Sequence, residues 1–134
     1  MPEAREAASS ATLEALFDAF NRHDADAVLS FMTEDCVFDA AAGAAAHGTR
    51  YQGRQEVRDA FAEVWATFGD ARWDAGPHRV DGDFGLSEWV FSGTRADGAR
   101  IEAEGCDLFT FRDGKIALKR AFRKQRPLLE PKSR

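Results

Sequence analysis

Asp107 interrupts an otherwise apolar row. Residue types alternate from Arg100 to Arg112, so that Ile101, Ala103, Gly105, Asp107, Phe109 and Phe111 share one face of a strand, and Arg100, Glu102, Glu104, Cys106, Leu108 and Thr110 the other. A carboxylate among Ala, Gly and Phe must find hydrogen-bond donors, stay protonated, or face a cavity that admits water or ligand. Desolvation by Phe109 and Phe111 would raise its pKa towards the range where a carboxyl group gives and takes protons near neutrality. The competing reading is an acid neutralised by a neighbouring Arg or Lys, serving the sheet alone. Asp113-Gly114 is a tight-hairpin dipeptide, which makes Lys115 to Arg123 the next strand and leaves Asp107 in mid-sheet.

A second acid, Asp39, stands at the exit of the run Cys36-Val37-Phe38-Asp39, where an Asp can equally cap a turn. His47 lies in a long Ala/Gly connection of the kind that often covers a site, and His78 lies near a turn. Trp65, Trp73, Trp89, Phe61 and Phe68 read first as core, but in a cone-shaped fold the core wall and the pocket wall are one surface, and Phe38, Phe61, Trp65, Trp89 and Phe109 are the candidate ligand contacts. The strand from Lys115 to Arg123 has two possible phases. One turns Lys119, Ala121 and Arg123 inward, where the cations would pair with the acids or bind an anionic ligand, and Asp107 would be ionised at neutral pH. The other turns Ile116, Leu118, Arg120 and Phe122 inward, leaving Asp107 partly protonated and the preferred ligand neutral. The sequence contains no phosphate-cradling Gly-rich loop, nucleophile elbow, metal-ligand cluster or dinucleotide fingerprint. The expected chemistry is therefore proton transfer without cofactor or metal.

These side chains must be positioned by few elements, because 134 residues suffice for one domain with a real core. Leu13, Leu16, Phe17 and Phe20 recur at helical spacing, with Ser10 as a candidate cap. Asp24 is the expected N-cap of a second, short helix carrying Val28, Leu29, Phe31 and Met32, and a third helix is expected over 54–68, with Val57, Phe61, Val64, Trp65 and Phe68 on one stripe. A short strand at Cys36–Asp39 precedes it, and period-two strands follow at 72–81, 84–95, 100–112 and 115–123. Helices first and strands last argue α+β, with the helices on one face of a mostly antiparallel sheet. The domain is expected over 9–126, between a leader at 1–8 and a tail at 127–134 marked by Pro127 and Pro131. A formal charge of -5 speaks against nonspecific nucleic-acid binding, although Arg120, Phe122, Arg123, Lys124 and Arg126 cluster near the end, where they can discourage strand addition. Cys36 and Cys106 have no ligand spacing and read as thiols in a reducing compartment; with no membrane-length apolar run, a cytoplasmic protein is expected.

Three stretches in this order resemble the nuclear transport factor 2-like superfamily, in particular SnoaL-like polyketide cyclases and ketosteroid isomerases. They are Phe20-Asn21-Arg22-His23-Asp24-Ala25-Asp26-Ala27-Val28, Glu34-Asp35-Cys36-Val37-Phe38-Asp39, and Asp107-Leu108-Phe109-Thr110-Phe111-Arg112-Asp113-Gly114-Lys115-Ile116, with Tyr51-Gln52-Gly53 before the third helix. The resemblance implies a cystatin-like roll, in which a strongly curved sheet wraps around three N-terminal helices as a cone with a deep pocket. It places Asp39 where the isomerases keep a proton-shuttling carboxylate, and Asp107 where isomerases and cyclases keep an acidic pocket residue. It also implies a small hydrophobic or aromatic carbonyl ligand, isomerase-, cyclase- or lyase-type chemistry, and a homodimer paired through the outer sheet face. The isomerases carry a Tyr on the first helix where this chain has Leu16, so authentic steroid isomerase activity is not expected. The rival expectation is a non-catalytic ligand-binding or dimerisation module of the same fold.

Overall fold

A computed structural model describes residues 7–131. Three helices, α1 (Ser10–Asn21), α2 (Ala25–Ser30) and α3 (Gly53–Thr67), cover one face of a single sheet. Its strands are β1 (Met32–Asp39), β2 (Arg50–Gln52), β3 (Arg72–Asp81), β4 (Phe84–Thr94), β5 (Arg100–Arg112) and β6 (Lys115–Arg123). They are ordered β2-β1-β6-β5-β4-β3, antiparallel throughout except where β1 runs parallel to β6. The expected α+β class is the observed one. No helix among the described residues is long and apolar enough to cross a membrane.

The helices form where the apolar stripes required them. Leu13, Leu16, Phe17 and Phe20 of α1 are all buried, each worth about 1.5–3 kcal/mol of apolar transfer. The N-cap is Ser9 rather than Ser10, and its backbone N–H donates to the Thr12 hydroxyl at 3.0 Å. Asp24 caps α2 as expected, its carboxylate accepting from the Ala27 N–H at 3.0 Å. The junction between them fastens helix to sheet: Asn21 offers its side-chain amide to the Trp73 backbone in both directions, at 3.0 and 2.8 Å, and His23 donates to the Ala71 carbonyl at 2.8 Å. This motif thus fixes the start of β3, and with it Trp73.

Three departures bear on the site. β1 begins at Met32, four residues earlier than expected, and a register slip against β6 separates Met32 from Val37. The connection after β1 contains the short β2, whose Tyr51 pairs with Phe38. The segment after β6 does not leave the sheet at once, because Leu129 exchanges two backbone hydrogen bonds with Arg100, at 2.7 and 3.0 Å. The remainder of the expected leader and tail, 1–6 and 132–134, lies outside the described residues.

Candidate functional site

The phase of β6 decides what faces the helices, and a bulge combines the two possibilities. Thr110 pairs with Leu118 but Phe111 with Ile116, so Ala117 is an extra residue on β6. Ile116 therefore points into the core, and Lys119, Ala121 and Arg123 also point to the inner side. On β4 and β5 the inward rows are Gly85, Ser87, Trp89 and Phe91 against Phe109, Asp107, Gly105 and Ala103.

Between this surface and α3 lies a cavity of about 330 Å³, at the small end of the range for small-molecule sites. Phe20, Phe38, Phe61, Trp73, Trp89 and Phe91 form most of its wall, and Ala121 leaves room where a larger side chain would fill it. Ala40, Ala41, Ala42 and Thr49 contribute the rim, so the Ala/Gly connection does cover the cavity. Gly48 makes that covering turn tight: it holds φ +82, and a Cβ there would stand 2.1 Å from the Ala40 carbonyl oxygen.

Lys119 is the cavity's innermost charge. It is 6% exposed, its Nζ lies 3.2 Å from Asp107 Oδ1, and it stands 4.6, 5.3 and 5.7 Å from the ring centroids of Phe38, Phe20 and Phe61. Asp107 is fully buried behind it, and its Oδ2 has no hydrogen-bond partner. The Trp89 indole N–H is likewise buried without one. Burial pushes the Asp107 carboxyl well above its ordinary range, against the opposing pull of Lys119 and Trp89. The ionised Asp107 expected for this phase is opposed by burial, the larger influence, and supported by the Lys119 ammonium. An ammonium has three protons to donate, and a single side-chain acceptor is found for Lys119 among the described residues.

The polar row continues away from the cavity. Ser87, wholly buried, stands opposite Asp107, and its hydroxyl lies 2.7 Å from His78 Nδ1. Burial pushes the His78 pKa down, so its neutral form is favoured. The sequence held the signal for Ser87: it is a polar residue in an apolar alternating row, the same anomaly that singled out Asp107.

Other candidates are placed elsewhere. Asp39 does not join Asp107. On β1 Phe38 lines the cavity, whereas Asp39 is clamped by Arg50, which donates from Nε and Nη2 at 2.8 and 2.9 Å and holds the carboxyl below its ordinary range. His47 is exposed and does not line the cavity. Trp65 turns from the cavity to stack on His23, with ring centroids 5.3 Å apart, and Phe109 packs beside Phe111 within the core. Trp73 and Phe68 line the cavity, as core residues that double as wall, whereas Phe91 and Glu63 line it without having been singled out; their spacing matched core or surface equally well.

The chain's inner surface therefore joins an aromatic cavity to a buried Asp–Lys pair, on a fold shared by proteins of related description. A candidate polyketide cyclase from Xanthomonas campestris is 24% identical over 84% of this chain and 87% of its own, with a TM-score of 0.72. TerC, crystallised with polyporic acid, is 20% identical over 85% and 89%, with a TM-score of 0.74. A hypothetical protein of ketosteroid isomerase-like fold from Catenulispora acidiphila, in complex with trimethylamine, is 17% identical over 85% of each chain, with a TM-score of 0.74. At these identities the likeness is one of fold. No curated protein matches the sequence. The SnoaL-like domain profile matches residues 13–119, from the first buried leucine of α1 to the cavity lysine, and the chain belongs to that family.

Proposed function

We propose that the chain binds a small, flat, hydrophobic carbonyl compound in the α3-facing cavity and moves a proton next to the carbonyl, as an isomerase, cyclase or lyase without cofactor. The observation that carries this reading is the buried Asp107–Lys119 pair at the base of an aromatic cavity. Lys119 donates to the ligand oxygen, where a developing enolate would gather charge, and takes the place of the hydroxyl that Leu16 cannot supply. Asp107 Oδ1 lies 3.2 Å behind Lys119 Nζ, so the pair can exchange one proton: with it on Asp107, the Lys119 amine takes the proton from the carbon beside the carbonyl, and as an ammonium it holds the enolate oxygen and returns the proton at the second position, Asp107 acting as a positioning and exchanging group rather than a wall of the cavity. Asp39 has no part in this step, because Arg50 occupies both of its oxygens.

Deuterium exchange at the activated carbon of beta-tetralone, followed by NMR in deuterium oxide, tests the assignment. Lys119→Met and Asp107→Asn are each expected to slow exchange by about a hundredfold. Equal rates in wild type and both variants would remove the catalytic role. Quenching of Trp fluorescence by the ketone without any exchange would favour the rival reading, a binding module, for which the apolar Leu16 and the engaged Asp39 speak.

For assembly, we infer a homodimer through the outer sheet face. Phe122 is 44% exposed there, and Leu86, Val90, Cys106 and Leu108 are only half-buried by their own chain. Leu108→Glu is expected to shift sedimentation from dimer to monomer at micromolar concentration; a wild-type monomer would refute the inference.

A further inference from the structure

The strongest unexplained charge outside the Asp107–Lys119 pair is Arg123. We propose that the ligand carries a carboxylate, bound by Arg123 at the cavity mouth, while its ring or carbonyl oxygen lies on Lys119 at the floor: a flat aromatic or conjugated monoacid. This rests on the binding reading above and narrows its ligand class.

Several other arginines are engaged. Arg50, Arg58 and Arg112, for example, each hold a carboxylate. Arg123 lines the cavity, lies 5.9 Å from the Phe91 ring centroid, and has neither an ion pair nor a hydrogen bond from its side chain among the described residues. Its pKa is pushed down by burial with no carboxylate to offset the cost. A guanidinium that lines an aromatic cavity without an acceptor from its own chain is a site for one.

The charge balance selects the kind of anion. Lys119 and Arg123 face the cavity with Glu63 as the one carboxylate in its wall, since Asp107 is withdrawn behind Lys119. Glu63 is exposed and screened by water, yet it and the C-terminal end of α3, at Thr67 and Phe68, turn negative potential towards the mouth. A dianion would be repelled, whereas one planar carboxylate matches the guanidinium fork. Among the described residues no Gly-rich loop stands beside Arg123 to cradle a phosphate. The spacing fits as well: four residues along β6 separate the Cα atoms of Lys119 and Arg123 by about 13 Å, with the small Ala121 between them in the cavity lining, the span of a bicyclic arene.

Naphthoate and its methyl ester are matched in ring and differ in charge. In a calorimetric or Trp-fluorescence titration, naphthoate is expected to bind the wild type about tenfold or more tightly than the ester. Arg123→Met should abolish that preference by weakening naphthoate about tenfold while changing the ester less than about twofold. Arg123→Lys, which keeps the charge and loses the fork, should fall between. Arg123 sits at the half-exposed end of β6, so the variants are expected to fold, and circular dichroism checks that they do. Equal affinity for acid and ester, or an Arg123→Met variant that weakens both alike, would overturn the proposal and leave the neutral-ligand reading in place. Failure of both compounds to bind would overturn that reading too.

Discussion

Replacing Asp107 with Leu is expected to destabilise the fold by about 3–5 kcal/mol, the usual cost of removing one partner from a buried charge pair. Lys119 would keep three aromatic rings around its ammonium group but lose the one carboxylate oxygen within hydrogen-bond reach. Cation–π attraction of roughly 0.5–2 kcal/mol does not replace that acceptor. Removing both partners should reverse most of the loss, because Asp107→Leu with Lys119→Met fills the same volume with apolar atoms and leaves no buried charge. Urea unfolding of the two single variants and the double variant measures the coupling. A single Asp107→Leu loss below about 1 kcal/mol would mean that the pair is not a buried ionic unit.

The same cycle has a pH dependence with a definite sign. The Asp107 carboxyl is raised above its unfolded value of 3.8, so the native state binds the extra proton. Its contribution is fully present below that value and is lost as pH rises towards the folded pKa. The surface acid Asp35, drawn down to about 2 by hydrogen bonds from Arg112 and Thr33, acts oppositely and loses its contribution only as pH falls. The double variant should therefore gain stability relative to wild type as pH rises from acid towards neutrality, with the Asp35 contribution common to both.

Most of the architecture was legible because its signals are local. Of the four C-terminal strands, β3, β4 and β5 lead into Asp-Gly turns; β3, β5 and β6 begin and end where the periodicity placed them, and β4 stops one residue earlier, at Thr94. β2 was not legible, since three residues carry no period, and neither was the start of β1, where Thr33, Glu34 and Asp35 precede a register slip. The site divides in the same way. Asp107 could be found from its apolar row, but the behaviour of β6 could not, because the bulge at Ala117 breaks the period on which both phases depended. Nor could the sequence aim Asp39: its partner Arg50 is brought close only by a turn that Gly48 permits. A carboxylate's identity is written in the chain, whereas its direction depends on contacts that the chain makes only once folded.

Gly105→Ala is expected to cost about 1–3 kcal/mol of stability and to remove ligand binding, through Trp89 rather than through any contact of its own with ligand. Gly105 faces inward between Trp89 on β4 and Arg123 on β6, and the indole lies directly over it. A Cβ there would stand 2.4 and 2.6 Å from Trp89 Cη2 and Cζ3 and 2.4 Å from the Phe122 carbonyl oxygen. The indole lines the cavity and the carbonyl belongs to the strand backbone just before Arg123, so relief by tilting Trp89 alters the cavity wall and relief by shifting the strand displaces Arg123. Either movement disturbs one end of the proposed ligand. Trp89 also carries the indole N–H that favours ionisation of Asp107, so a tilted ring should raise the carboxyl's pKa further. Trp emission, naphthoate titration and carboxyl-carbon NMR of Asp107 read the three effects separately. Unchanged emission and affinity in a folded Gly105→Ala protein would show that Trp89 does not depend on the missing side chain for its place in the cavity wall.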